Sequence, residues 1–478
     1  MADQLPSHHR APRTWGRASA LLHAALKGCP TYVRRCCLAP LVLMAGIATP
    51  VHAQAPPAEH DHEAPAETAP EPEDQAPPTA GDHVGHGAPM MSTFSTRETS
   101  GTAWLPDTTP MYGIHHRAGS WQLMFHGNAF AQFLYESGGR GSEQAGSINW
   151  IMGMARRDFE GGRLGVRGMI SLEPWTIPGC GYPDLLATGE VCEGETIHDR
   201  QHPHDLFMEV AAEYERRIEG SLGWQVYAGL AGEPALGPVA YPHRVSAMPN
   251  PLAPISHHWL DATHITFGVV TAALYADRWK TEISTFNGRE PDEHRSDFDF
   301  GALDSVSGRV WFLPTPAWAL QFSAGRLTDA EAGHELESRV DVDRVTASAT
   351  YHRSLETNGL WASTLAWGMN HEEGQSTHAL LMETTLTRRE QDVWFGRLEL
   401  AGKPAHDLDI DGTEDVFTVA KLQAGYTRYL EAWRSLQPGL GAGLSVGVVP
   451  ASLEAAYGGR TNLGLAVFVT VRPKRHQM

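Results

Sequence analysis

The sequence predicts an all-β chain, a closed antiparallel transmembrane β-barrel of about 16 strands (14–18) preceded by a disordered tail. Three observations predict it. Apolar and polar residues alternate with period 2 through most of residues 119–472. Short turns and long loops alternate strictly along that stretch. No apolar run approaches the ~18 residues a spanning helix needs, yet 42% apolar residues, 19% charged residues and 14 Trp exclude disorder throughout. A net charge of −19 argues against a nucleic-acid partner, which selects a basic footprint.

Residues 1–53 read as an export signal. Arg34 and Arg35 precede the apolar stretch Leu38–Ala48, and small residues around Ala53 offer a cleavage site. Residues 54–118 read as an acidic Pro/His-rich tail. Between 54 and 110 it has ten prolines, ten acids and one Arg, too little apolar surface to fold. Its His60, His62, His83, His86, Met90 and Met91 are imidazole and thioether donors, and thioether selects soft copper. The same composition also suits a plain solvated linker.

The strands follow in order. In the first, Trp121, Leu123, Phe125, Phe133 and Tyr135 share one parity, and Gln122, His126, Asn128 and Gln132 the other. The pattern recurs over about 147–157, 162–173, 206–218, 222–231, 264–275, 278–287, 302–313, 317–326, 341–353, 359–369, 377–389, 392–402, 415–429, 436–449 and 461–472. Tight turns such as Glu160-Gly161-Gly162 and Glu219-Gly220-Ser221 alternate with long connections such as 174–205 and 232–263. In a meander, all the short turns then lie at one end and all the long loops at the other. Apolar side chains occupy the outward parity, and charges of both signs the inward one. Aromatics at strand ends, Trp311 and Trp318 among them, suit interfacial girdles. Residues 473–478 form a short C-terminal tail.

Signal, acidic His/Met tail and polar-lumen barrel together resemble a bacterial outer-membrane β-barrel of the porin-like type. The tail-plus-barrel layout is also similar to copper-resistance outer-membrane proteins, whose tails are richer in Met and His. The chain departs from the barrel pattern at its end: Phe468 and Val471 are followed by Pro473-Lys474-Arg475-His476-Gln477-Met478 rather than by a terminal aromatic residue.

Two long loops carry most of the chemistry. Cys180 and Cys192 are the cysteines left after export, and one loop disulfide is their simplest state in an oxidising compartment. His198, Asp199, His202 and His204 in that loop, with His243, His257 and His258 in the next, form a candidate site for zinc or copper. The competing reading is that these rings only stiffen loops by hydrogen bonding. On the inward parity, Arg163, Arg167, Glu209, Glu213, Lys280, Glu282, Arg309, Arg344, Glu383, Arg397 and Glu399 line the expected lumen, either as a pore wall or as a salt-bridge network.

The functional expectation is an outer-membrane channel for small solutes or ions, with membrane lipid and those solutes as partners and a link to copper handling. Two alternatives stand beside it: a metal-binding envelope barrel for heavy-metal resistance, and an outer-membrane hydrolase. No G-x-S-x-G and no P-loop motif occurs, so the chain is read as a non-enzyme.

Overall fold

The computed structural model describes residues 97–332 and 339–476. The signal segment, the tail up to residue 96 and the six tail donors lie outside the described residues.

The first nine strands are β1 (Ile114–Ala118), β2 (Trp121–Glu136), β3 (Glu143–Phe159), β4 (Gly162–Ile170), β5 (Tyr182–Cys192), β6 (Glu195–Gln201), β7 (Phe207–Glu219), β8 (Leu222–Gly232) and β9 (Thr266–Ala276). The remaining ten are β10 (Trp279–Phe286), β11 (Ser305–Thr315), β12 (Trp318–Ala332), β13 (Arg339–Leu355), β14 (Gly359–Glu372), β15 (Gln375–Arg388), β16 (Asp392–Pro404), β17 (Val416–Tyr429), β18 (Leu436–Val448) and β19 (Thr461–Pro473). Among the described residues, three one-turn α-helices interrupt the loops: α1 (Glu173–Thr176), α2 (His257–Leu260) and α3 (Glu454–Tyr457).

Strands β2–β4 and β7–β19 form a closed antiparallel barrel of 16 strands. Closure is direct, because β19 pairs with β2 from Gly464↔Glu136 to Val471↔Ala129. The short strand β1 continues the line of β19 along the same edge, from Ile114↔Phe125 to Ala118↔Trp121. The C-terminal residues join this seam: Arg475 bridges to Tyr112, and the His476 amide donates to the Met111 carbonyl at 2.7 Å. Tight turns form where glycine supplies a positive φ, as at Gly161 (φ 75°) between β3 and β4 and Gly220 (φ 55°) between β7 and β8.

The pleat sorts side chains by parity. Ile151, Val166, Leu230, Leu274, Ile283, Phe312, Phe322, Leu365, Leu398, Leu422, Leu444 and Val467 all stand exposed on the outer wall. An apolar belt of this extent would aggregate in water, so its solvent is the bilayer. Outward aromatics pack edge-on or tilted against one another near the short-turn end, with ring centroids 4.8 Å apart for Trp318–Tyr351, 5.5 Å for Tyr351–Trp361 and 5.4 Å for Trp394–Tyr426. Trp311 is not part of this girdle. It faces inward, 1% exposed, and its indole donates to Glu282 at 3.0 Å.

The interior holds its own apolar packing. Leu185, Leu186, Ile255, Trp259 and Leu260 from the loops pack on Ala366, Leu381, Ala401 and Val419 of the inner wall. The tail expected to run to residue 118 is ordered over its described part. Ala103, Trp104 and Leu105 are buried against Val239, Trp311, Leu313 and Ala319. That segment is also fixed by charge: Arg156 pairs with Glu98, Arg167 donates to the Thr99 carbonyl at 3.1 Å, and Arg309 donates to the Thr102 hydroxyl at 3.1 Å.

Candidate functional site: the filled lumen

Residues 233–265, between β8 and β9, fold into the barrel as a plug. The backbone–backbone hydrogen bonds described for this segment stay within it, for example His243 N–H to the Ala240 carbonyl at 3.0 Å. Its ties to the wall run through side chains. Ser284 of β10 and Ser323 of β12 each accept from plug amides at 2.8 Å. Trp259 donates to Thr377 of β15 at 2.8 Å, and Ser256 donates to Glu399 of β16 at 2.7 Å. Asn250 donates to Gln423 of β17 at 2.7 Å, and Asn128 of β2 donates to the Met248 carbonyl at 3.0 Å. The plug therefore crosses the lumen and touches walls on several sides. It sits close: a Cβ on Gly368 of β14 would lie 2.2 Å from the Trp259 carbonyl oxygen.

A second insert is the β5–β6 hairpin. The Cys180–Cys192 disulfide brackets β5, with Cα atoms 5.8 Å apart. Lys421 of β17 reaches Asp184 at 2.6 Å, Glu136 at 3.0 Å and the Leu185 carbonyl at 3.0 Å.

The charged residues on the inward parity are buried, and most pair across neighbouring strands. Arg167 lies 3.3 Å from Glu209 and 3.0 Å from Glu213, while Arg163 lies 3.0 Å from Glu215. Arg309 bonds Glu282 at 2.9 Å, and Lys280 bonds Glu282 at 3.1 Å. Glu383 bridges Arg397 at 2.8 Å and Arg244 of the plug at 2.6 Å, and Arg244 also holds Asp261 at 3.0 Å. Arg344 donates to Asn370 at 2.9 Å. Paired charge in a confined interior resists rearrangement, because removing one partner strands the other.

The histidines expected to share a metal divide into three groups. His202, His204, His257 and His258 converge, and His264 joins them. Ring centroids are 6.5 Å apart for His202–His257 and for His202–His258, and 5.3 Å for His204–His264. His204 has both nitrogens engaged, Nδ1 with Glu173 at 2.9 Å and Nε2 with the Tyr241 hydroxyl at 2.9 Å. Burial lowers the His204 pKa, but the adjacent Glu173 carboxylate outweighs it and holds the ring above its ordinary value. His257 Nδ1 bonds Asp261 at 2.9 Å. His198 and Asp199 lie apart from this group. His198 meets the Asp407 carbonyl at 3.1 Å, and Asp199 bonds Arg140 at 2.6 Å and the Leu186 amide at 2.8 Å. His243 turns the other way, towards methionine sulfur. His258, within the converging group, also shares a second cluster, because one atom each of His258, Glu290 and Glu331 lie within 4.8 Å of one another. One imidazole and two carboxylates suit a borderline divalent cation.

Sequence reasoning missed Glu290 and Glu331, which lie in and beside irregular loops. It also missed the buried methionines of β2–β4, although Met124, Met152 and Met154 share the inward parity of charged neighbours. A bulge after Met169 also brings Met208 inside beside Glu209, where it is 2% exposed.

Glu233 opens the plug and is 3% exposed. Burial pushes its carboxyl up to about 8, against the pull of Arg309, whose guanidinium lies 3.3 Å away. A carboxyl raised in this way keeps its proton in the folded barrel after the unfolded chain has lost it. Its stabilising contribution is complete below the ordinary value of about 4.3 and is lost as pH rises through about 8. The thermal midpoint of the folded barrel, read by gel mobility, is expected to fall between about pH 5 and 9 in the native chain. It is expected to fall less in Glu233→Gln. Equal slopes in both proteins would assign the pH dependence to another group.

No protein-family model matches the chain, and no curated protein matches it. Among solved structures, the chain is similar to OmpF of Salmonella typhi in complex with daunomycin, at 12% identity over 75% of this chain and 100% of that one, with a TM-score of 0.48. It is also similar to an anion-selective porin from Comamonas acidovorans, at 10% identity over 74% and 99%, with a TM-score of 0.45. A third is OmpT, an outer-membrane protein of Vibrio cholerae, at 7% identity over 75% and 99%, with a TM-score of 0.43.

Proposed function

We propose that this chain is a porin-like outer-membrane barrel that passes small solutes or ions along a lumen narrowed by residues 233–265. The observation that carries this reading is how the plug is attached. It adds no strand to the wall and is held by side-chain bonds and ion pairs, so the barrel stays closed when the plug shifts. The wall it leaves behind is polar, with Arg309, Arg397, Glu282 and Glu383 facing inward, and such a surface carries ions and small polar solutes rather than apolar ones. A metal-handling role, with copper or zinc, is the second reading. It is favoured by the His258–Glu290–Glu331 set and by the tail donors. Residues 1–53 serve as the export signal in either case.

Planar-bilayer recording of the purified full chain tests the channel. Small discrete conductance steps are expected, with solute-driven swelling of liposomes for small uncharged sugars. Neither current nor swelling, from protein shown to be folded by gel mobility, would overturn the channel and leave a closed envelope barrel.

A further inference from the structure

Strand register puts an unusual row of donors on the inner wall. His126 of β2 is paired with Met152 of β3, and Met152 is paired with Met169 of β4. All three share the inward parity. The next row repeats the chemistry, with His115 of β1 paired with Met124 and Met124 with Met154. The plug completes the first row from above. His243 Nε2 lies 3.3 Å from the Met169 sulfur, and His126 Nε2 lies 3.0 Å from the Met152 sulfur. The two imidazole centroids are 5.6 Å apart, and Trp150 packs on both rings. Met152, Met169 and His243 are all buried.

We infer that Met152, Met169, His126 and His243 form a binding site for a soft monovalent d¹⁰ cation, Cu(I) or Ag(I). The donor set selects it. Two thioethers are poor ligands for hard or borderline divalent ions and good ones for Cu(I). All four donors are neutral, so binding adds a single positive charge to a buried place, far less costly than a divalent ion. A counter-charge is adjacent, since Met169 is register partner to buried Glu209 of β7. Arg167 lies nearby, but its charge is shared between Glu209 and Glu213. Metal–donor bonds of roughly 2.0–2.3 Å require each nitrogen–sulfur pair to part by about an ångström at most, which methionine's rotatable bonds permit. The site stands independently of the channel reading, because a barrel that passes no current can still bind the ion.

The test uses Ag(I), which needs no reductant, on the full chain carrying His60→Ala, His62→Ala, His83→Ala, His86→Ala, Met90→Ala and Met91→Ala, so that the tail donors are silent. Calorimetry is expected to show a tight equivalent. Met152→Leu with Met169→Leu keeps the core volume and is expected to weaken that equivalent by more than the ~10–100-fold that losing a supporting neighbour costs. Zn(II) binding is expected to be unchanged. An Ag(I) isotherm unmoved by the double substitution would overturn the site. Should the double variant not fold, X-ray absorption of the tail-silenced parent loaded with Cu(I) decides. Mixed sulfur and nitrogen neighbours support the site, and a shell of nitrogen and oxygen alone overturns it.

Discussion

Glu383→Ala is expected to destabilise the barrel by about 3–5 kcal/mol and to raise its conductance, the loss following from two buried guanidiniums that share one carboxylate. Arg244 and Arg397 are 0% and 2% exposed, and they hold the two oxygens of Glu383 at 2.6 and 2.8 Å. Arg397 retains the Leu252 carbonyl at 2.8 Å, and Arg244 retains Asp261 at 3.0 Å. The plug's tie to β15 through Arg244 is nonetheless gone. Glu383→Gln keeps the shape and removes the charge, and is expected to fall between the two proteins. Unfolding in urea followed by gel mobility measures the stability, and planar-bilayer recording measures the conductance. A variant as stable and as narrow as the native chain would show that the remaining polar ties, to β2, β10, β12, β15, β16 and β17, hold the plug.

Lys421→Met is expected to cost a comparable ~3–5 kcal/mol, with the damage confined to the other insert. The ammonium satisfies Asp184 and Glu136 together, both buried. An apolar side chain of similar length leaves the two carboxylates facing each other without a cation, so the hairpin that carries Asp184 lifts. Hydrogen exchange over residues 182–201 is expected to accelerate while exchange over 233–265 stays slow. Equal acceleration in both segments would show that the inserts move as one body.

The two halves of the molecule differ in how legible they are. The wall is periodic, and its pleat sorts Arg167, Glu213 and Lys280 inward and Ile151, Val166 and Ile283 outward by parity alone. Tight turns announce themselves by residues such as Gly161, whose φ of 75° other residues resist. The filling is aperiodic. Residues 233–265 read as an ordinary long loop, because no local pattern records that their partners lie on β10, β15 and β17. That ignorance spread back to the wall. Phe267, Val269 and Trp311 face inward, where an empty polar lumen would have no place for them, and they do so because the interior has an apolar core of its own. The loop disulfide was legible from cysteine number and compartment. The ligand set of His258, Glu290 and Glu331 was not, because its members are separated by folded strands that the sequence does not bring together.

The seam where β19 and β1 share one edge of β2 constrains the order of assembly. Val471 and Ala129 are register partners more than 300 residues apart in sequence, so this ring closure is among the contacts with the largest chain-entropy cost and the slowest to form. Residues 97–105 and 233–265 lie inside the ring that this seam completes. If the seam forms last, both segments settle against an open, curved sheet and the final pairing locks them in. If it forms first, two stretches of chain must thread into a finished ring against the lipid-facing wall's own stability. Filling before closing avoids that threading. The slow step in the maturation of this barrel is then to be sought in the closing of the β19–β2 seam over contents that have already docked.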